Sequence, residues 1–334
     1  MRTHIAIVYN KPSPSRYDSA GESDAVIGVL QTVKAAHRAL HELGYRVTRV
    51  PLSPPVDRAR QTLTDLRTDL IFNLFEGFCG APETEALVPE IMAARRIPFT
   101  GCPGKALSLA LDKAVLKELL KASRIRTPEF QLLNPYTMHT FRTGFPCIVK
   151  PRYDDASHGI SAESVVTGPA GLAEQVRAIY NRYNDDALIE EFLDGREYNA
   201  TVLGNASCTV LPVSEIVYTL PPEMPEILTF AAKWQHESIY YQNTRAICPA
   251  PVEAEQQERI AAAALSAYRL LDCKGYARVD MRLDREGEVN VIEVNPNPDI
   301  TPGSGAARQA DAAGMPYTRF IEKIVQIALE ENLQ

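Results

Sequence analysis

Two hydrophobic periods alternate along this chain, and the switches between them mark its elements. From Ile5, IAIVY reads as a first strand. A long polar loop runs to Asp24, then AVIGVLQTVKAAHRALHEL carries apolar residues at three- and four-residue spacing. Gly44 closes that helix and the strand YRVTRV follows, a βαβ opening. DLIFNLF has the unbroken apolar character of a buried strand, and ALVPEIMAARR is a helix leading to IPFTG. This half is expected to be an open α/β domain. Its first loop lacks G-x-G-x-x-G, so dinucleotide binding has no support.

After Gly104 the spacing predicts one helix over ALSLALDKAVLKELLKAS, ended by Arg126-Thr127-Pro128. A strand-and-loop region follows with PCIVKP and GISAESVV, and ALIEEFLDGREYNATVLG alternates in the strand manner around an Asp-Gly turn. The helix AEQQERIAAAALSAYRLL precedes two strands, GYARVDMRL and EVNVIEVN, joined by DREG, and MPYTRFIEKIVQIALEE is a final helix. With no repeat, low-complexity tract or long linker, domain boundaries are expected near 104 and 187, giving units 1–104, 105–186 and 187–334.

The last two strands carry the first chemical signal. A regular four-residue turn at Asp284 to Gly287 pairs Leu283 with Glu288, places Arg278 opposite Glu293 and Asp280 opposite Val291. Alternation then sends Arg278, Asp280, Glu293 and Asn295 to one side, and Val279, Met281, Ile292 and Val294 to the other. The same pattern describes the wet face of an antiparallel hairpin. What favours a site is EVNPNPDI, residues 293–300, where two prolines stiffen the backbone just where the oxygen ligands end. Carboxylates from both strands with an asparagine suit Mg²⁺, which is usually held together with substrate phosphates.

Phosphate-holding candidates are few. FPCIVKP places Lys150 at the end of an apolar strand, with Ser157, His158 and Gly159 in the loop beyond. A lysine there can meet a phosphate while loop N–H groups cradle the oxygens, or can be a plain surface lysine. Lys113, Lys117 and Lys121 recur every four residues, the pattern of a solvated helix face. Glu190, Glu191 and Glu197 flank FLDGR and read equally as solvation, and Lys233 in AAKWQHES is uninformative by itself.

Composition removes several alternatives. Lys plus Arg total 35 against 42 Asp plus Glu, a formal charge of -7, and no basic cluster interleaves with aromatics, so nucleic acid is not an expected partner. The six cysteines, Cys79, Cys102, Cys147, Cys208, Cys248 and Cys273, stand singly with no C-x-x-C, which indicates reduced thiols. The chain opens directly with HIAIVYN, which reads as a first strand, and no apolar run approaches the ~20 residues that span a bilayer, so the location reads as cytoplasmic. No Cys/His or G-x-S-x-G arrangement suggests a covalent nucleophile.

Taken in order, LDKAVLKELL, FPCIVKP with SHGIS, ALIEEFLDGREY, AAKW, YARVDMRLD and VIEVNPNPDITPGS resemble the ATP-grasp superfamily, and within it the D-alanine–D-alanine ligase branch. The resemblance covers nearly the whole chain. It implies an α/β fold, α+β in the ATP-binding part, with three domains and ATP held between two of them. It also implies a ligation in which a carboxylate takes the γ-phosphoryl group of Mg·ATP, an amine attacks the acyl phosphate, and phosphate leaves. By matching positions, Lys113, Lys150 and Lys233 would contact phosphates, with Ser157 and Gly159 in the loop over them. Glu190 would meet the adenine edge and Glu197 the ribose, with Glu191 and Leu193 beside them. Asp280, Glu293 and Asn295 would hold one or two Mg²⁺ or Mn²⁺ ions, and Arg278 would stabilise the transferring phosphoryl group. The partners implied are a small carboxylate and an amino acid or amine, and a homodimer is ordinary in that family.

The departures concern the first substrate. Ligases of the usual kind carry G-G-x-S-x-E-x-x-V-S after the first strand, where a glutamate meets the amine of the first D-alanine. Here that loop reads YNKPSPSRYDSAGESD, and Glu22 has no assignment to the role. Their central-loop serine matches Ala156, the tyrosine after the phosphate lysine matches Trp234, and their His-Gly is Glu76-Gly77. The glycine that helps form the oxyanion hole falls at Asp299, which could ligate metal, bond an incoming amine or cap the turn before Ile300. Ser304 matches the serine that receives the second substrate's carboxylate. The expected function is therefore an ATP-dependent carboxylate–amine ligase with an altered first substrate. The alternatives are a true D-alanine–D-alanine ligase, a small-molecule kinase or a non-catalytic nucleotide binder.

Overall fold

The computed structural model describes residues 2–11, 22–78, 80–153 and 159–330, with 22–27 described in the backbone only. The first unit runs β1 (His4–Asn10), α1 (Glu22–Glu42), β2 (Arg46–Leu52), α2 (Val56–Asp65), β3 (Leu70–Leu74) and α3 (Leu87–Arg95). Then come α4 (Gly104–Leu111), α5 (Lys113–Ala122), β4 (Phe130–Leu133), β5 (Cys147–Lys150), β6 (Val165–Val166), α6 (Pro169–Tyr183) and β7 (Ala187–Glu191). The last part holds β8 (Glu197–Gly204), β9 (Cys208–Val210), β10 (Ser214–Tyr218), α7 (Phe230–Trp234), α8 (Ile239–Gln242), β11 (Thr244–Ile247), α9 (Ala254–Leu270), β12 (Tyr276–Leu283), β13 (Val289–Pro296), α10 (Gly305–Ala312) and α11 (Tyr317–Glu330).

Three sheets organise these elements. The expected βαβ opening is a parallel sheet ordered β2-β1-β3, with Ile5 opposite both Val47 and Leu70. One apolar face is covered by α1 and, less expectedly, by α11, where Phe320, Ile321 and Ile324 pack with Ile5, Ile7, Leu40 and Phe72, and the other is covered by α2 and α3 through Leu63, Val88 and Met92 against Ala6 and Val8. The second sheet is antiparallel, β4-β7-β5-β6, backed by α6 through Leu172, Val176 and Ile179. The third is built on β11-β10-β8-β12-β13 with β9 beside β8. Its core face packs on α9, where Ala264 and Ala267 let the helix sit close to Tyr198, Val279 and Met281.

Several expectations need correcting. The helix predicted as one run after Gly104 is two, broken at Asp112, whose backbone is extended (φ -85, ψ 93). The break is stabilised because Asp112 caps α5, accepting from the N–H groups of Ala114 (3.1 Å) and Val115 (3.2 Å), and takes Arg152 in a bidentate pair at 2.9 and 2.6 Å. We expect Asp112→Ala to lower unfolding free energy by about 1–2 kcal/mol, read from the urea midpoint; no midpoint shift would make the cap redundant. The boundary expected near 187 falls at the start of β7, which belongs to the second sheet.

The hairpin register also differs. Gly287 takes a left-handed conformation (φ 77), and Asp284 N–H donates to the Glu288 carbonyl at 3.0 Å, so the loop holds one residue more than a four-residue turn and Leu283 faces Val289. A second irregularity at Asp280/Met281 shifts the pairing again, so Asp280 lies opposite Glu293 and Arg278 opposite Asn295. The total shift is two residues, which preserves faces, so the predicted polar cluster survives although its partners change. Val291 joins the core and Ile292, predicted to face it, turns to the polar side.

Candidate functional site

Strand parity carries charged groups into one cleft between the second and third sheets. In β5, Cys147 and Val149 are in the α6-side core, so Ile148 and Lys150 face the other way. Glu190 in β7 pairs with Ile148 and shares that face. From the third sheet, Asp280 and Glu293 point across at them, while Val279, Val291 and Val294 fill the core beneath. The cleft, about 930 Å³ with its open mouth, has an apolar wall of Ile148, Leu193, Ile227, Leu228 and Ile292 and a charged floor. That pairing suits a ligand with a flat apolar part and an anionic tail.

The floor is held by short contacts. Arg278 grips Asp280 with two parallel bonds of 2.7 and 2.8 Å, and Asn295 Nδ2 donates to Asp280 Oδ2 at 2.9 Å, leaving its carbonyl end as an oxygen ligand. Lys113 Nζ lies 3.1 Å from Glu293 Oε1. Asp280 raises Arg278 above its ordinary pKa against the opposing effect of burial. Burial also pushes the Glu293 carboxyl upward, but Lys113, then Lys150 and Lys233, outweigh it and hold the group below its ordinary value. Burial, with Arg278 second, lowers Lys233. Glu197 is positioned by Tyr218, whose hydroxyl donates to Oε2 at 2.7 Å, and by Arg282 at 3.4 Å.

Two directly opposed carboxylates amid this much positive charge are placed to share a hard cation with the Asn295 oxygen. Among the described residues no three His, Cys, Asp or Glu side chains converge on a metal position, and the candidate donors here are the two carboxylates and the Asn295 amide oxygen. That set fits Mg²⁺ completed by phosphate oxygens.

The lysine stripe is not a solvated face. Lys113 is 8% exposed and Lys117 fully buried, and only Lys121 reaches solvent, pairing with Glu129 at 2.7 Å. Lys117 Nζ sits 3.3 Å from Glu190 Oε1, while Lys150 Nζ is 2.9 Å from Oε2 of the same carboxylate. Burial lowers Lys117 to about 8, resisted by Glu190. Burial raises the Glu190 carboxyl, but Lys117 and Lys150 outweigh it and the net direction is down. Four-residue spacing is the same for a wet and a buried face, so nothing local distinguished Lys117.

The remaining predicted residues are placed as follows. Leu193 lies in the cleft wall, and Glu191 at its mouth is exposed. Gly159 has φ +70, and a Cβ there would come within 2.9 Å of Pro151 Cγ, so glycine is required. Ser157 lies outside the described residues, as do Ala156 and most of the loop after β1. Asp299 Oδ1 accepts from the Thr301 N–H (2.8 Å) and hydroxyl (2.6 Å), the turn-capping arrangement, and Ser304 Oγ donates to the Asp299 carbonyl at 2.8 Å.

A second, smaller cavity, lined by Asn73, Glu76, Tyr276, Asn297 and Asp299 among others, contains residues that sequence reasoning missed. Asn73 Oδ1 accepts from Phe75 N–H (3.2 Å) and Asn297 Oδ1 from Cys102 N–H (2.7 Å), which leaves both amide nitrogens buried without a partner. Asn297 has a left-handed backbone (φ 53), and a Cβ at Gly101 would overlap its amide, which explains an Asn-Gly contact across 196 positions of chain. Its sequence signal was the second asparagine of EVNPNPDI.

Residues 120–326 match the model of the D-ala D-ala ligase C-terminus. The chain belongs to the D-alanine–D-alanine ligase family. An uncharacterized protein y4sG of Sinorhizobium fredii is 32% identical over 96% of this chain and 90% of its own. A D-alanine–D-alanine ligase of Desulforudis audaxviator is 31% identical over 90% and 94%. The fold matches a Bacillus anthracis D-alanine–D-alanine ligase complexed with ATP (TM-score 0.75, 21% identity, 99% and 98% covered). It also matches the VanG D-Ala:D-Ser ligase of Enterococcus faecalis (TM-score 0.76, 19% identity, 98% and 100% covered). The chain is thus an ATP-grasp member of a family of ATP-dependent ligases. Among the described residues no helix is long and apolar enough to cross a membrane.

Proposed function

We propose that the protein joins a small carboxylic acid to an amino acid or amine through an acyl phosphate, at the expense of ATP, and that its first substrate is not D-alanine. The observation that carries the reading is the convergence of Asp280, Glu293, Lys113, Lys150 and Lys233 on one cleft, with Arg278 and Asn295 bonded to Asp280 at its floor. Phosphoryl transfer needs positioned, neutralised charge rather than a covalent nucleophile, and this cleft has that character. The apolar wall with Leu193 and Glu191 would take the base, Glu190 the adenine edge, Glu197 the ribose, and the three lysines with the Ser157–Gly159 loop the phosphates. Asp280, Glu293 and Asn295 would hold Mg²⁺, whose contribution when bound is to neutralise phosphate charge. Arg278, freed from Asp280 on one side, would face the transferring phosphoryl group. Ser304 would read the amino acid's carboxylate, and Asp299 would hold the turn that presents it.

Glu76, Trp234 and Asp299, where usual members carry histidine, tyrosine and glycine, support the altered first substrate. Three domains are proposed, the first ending near residue 104 and the second extended past β7 to keep its sheet whole. A cytoplasmic homodimer is part of the same proposal. The test is phosphate release from Mg·ATP with D-alanine alone, then with mixed pools of carboxylic and amino acids, and Asp280→Asn as the blank. Release only with a mixed pool is the expected result; robust release with D-alanine alone overturns the substrate reading. Formation of ADP and a phosphorylated product without free phosphate points instead to a kinase.

A further inference from the structure

Glu190 is a single buried carboxylate shared by two ammonium groups of different kinds. Lys150 approaches from the cleft at 2.9 Å and remains part of its lining. Lys117 approaches from behind at 3.3 Å, is fully buried, and does not line the cleft. Its ammonium also donates to Thr127 Oγ1 at 3.0 Å, and that hydroxyl donates to the Val291 carbonyl of β13 at 2.8 Å. Lys117 therefore ties α5, the second sheet through Glu190, and the strand of the third sheet that carries Glu293.

We infer that Lys117 is a positioning residue: a fixed counter-charge behind Glu190 that lets Lys150 leave this carboxylate for a nucleotide phosphate. A buried carboxylate stripped of its last cation is strongly unfavourable, so with Lys150 as sole partner a phosphate would have to compete against that penalty. With Lys117 in place the carboxylate stays paired whichever anion Lys150 serves. The Thr127 bond to β13 keeps Lys117 from following. This inference rests on the proposed nucleotide function and adds a residue that touches no substrate.

The experiment measures equilibrium binding of Mg·ATP and of adenosine to the full chain, wild type against K117M, E190Q and K117M/E190Q. The expected result is that K117M weakens Mg·ATP by about tenfold, the weight of one charge-assisted bond, and leaves adenosine within about twofold. In the E190Q background, where no carboxylate detains Lys150, the same K117M change is expected to have no effect on Mg·ATP. Equal loss for Mg·ATP and adenosine, or an undiminished loss in the E190Q background, overturns the inference. Should K117M alone not fold, E190Q against the double variant decides by that second criterion, because the double variant leaves no buried charge pair to break. Failure of the wild type to bind Mg·ATP overturns the nucleotide reading itself and this inference with it. Wild-type binding matched by K117M overturns this inference alone.

Discussion

Methionine in place of Arg278 is expected to lower phosphate release from Mg·ATP by roughly 10³-fold or more, on the scale of an arginine that meets the transferring phosphoryl group. Two roles converge on this side chain. Its bidentate grip fixes Asp280 against rotation, at 2.7 and 2.8 Å, and its guanidinium offsets the charge of two carboxylates that the hairpin sets directly opposite each other. Methionine keeps the packing volume of the stem and removes only the charge and the fork. Nucleotide affinity should fall far less than turnover, because Lys113, Lys150 and Lys233 still line the cleft. A loss of turnover below tenfold, measured with the substrate pair that supports release in the wild type, would reduce Arg278 to a structural partner of Asp280.

The largest effect on stability is expected at Glu190. Replacing it by alanine leaves Lys117 fully buried with no carboxylate, and the unfolding free energy should drop by about 3–5 kcal/mol near neutral pH. The pH dependence separates this cause from a simple cavity. Lys117 is held at about 8 in the fold against 10.5 as its ordinary value. Between those values the unfolded chain binds more protons, so the charge penalty is present in full below about 8 and stability rises as pH climbs towards 10.5. Without Glu190 the attraction that resisted deprotonation is gone, the folded value falls further, and the recovery with rising pH becomes larger. Urea melts of both proteins from pH 7 to 10 check this: a deficit that stays constant across the range would assign the loss to lost packing instead.

Much of the site was legible because its signal is local. VDMRL and VIEVNP alternate over enough residues that the faces of Asp280, Glu293 and Asn295 follow from parity, and a two-residue register error does not disturb them. The error itself arose where local rules are weakest: a left-handed Gly287 lengthened the loop, and the bulge exchanged Val291 and Ile292 between core and cleft. Alternation of V, V and V at 289, 291 and 294 contains the parity break, but only a core to pack against makes one of its readings lower in energy. Helix α6 went unread because TGPAGLAEQVRAIYNRY begins with proline and glycine, which read as loop until α6 is seen packed on the second sheet. The break at Asp112 was hidden for a related reason, since its capping partner Arg152 is 40 residues away.

By itself the sequence determined the strand–helix opening, the strand that carries Lys150, the polar face of the final hairpin, and the six motifs whose resemblance points to an ATP-grasp ligase, whereas α7 with Lys233 and the strands β10 and β11 were not legible in it. The elements and the polar face depend on periodicity, which a chain carries before it folds, and the motifs on their resemblance to a known family. Only the tertiary structure decided which charges are buried together. Lys117, Glu190 and Lys150 lie in three separate elements, and whether a lysine faces water or a carboxylate is set by what packs over it. The same holds for Asn297 against Gly101 and for α11 returning to cover the first sheet. Desolvation is a property of the assembled surroundings, and it turns an ordinary stripe of lysines into the support of a candidate phosphate site.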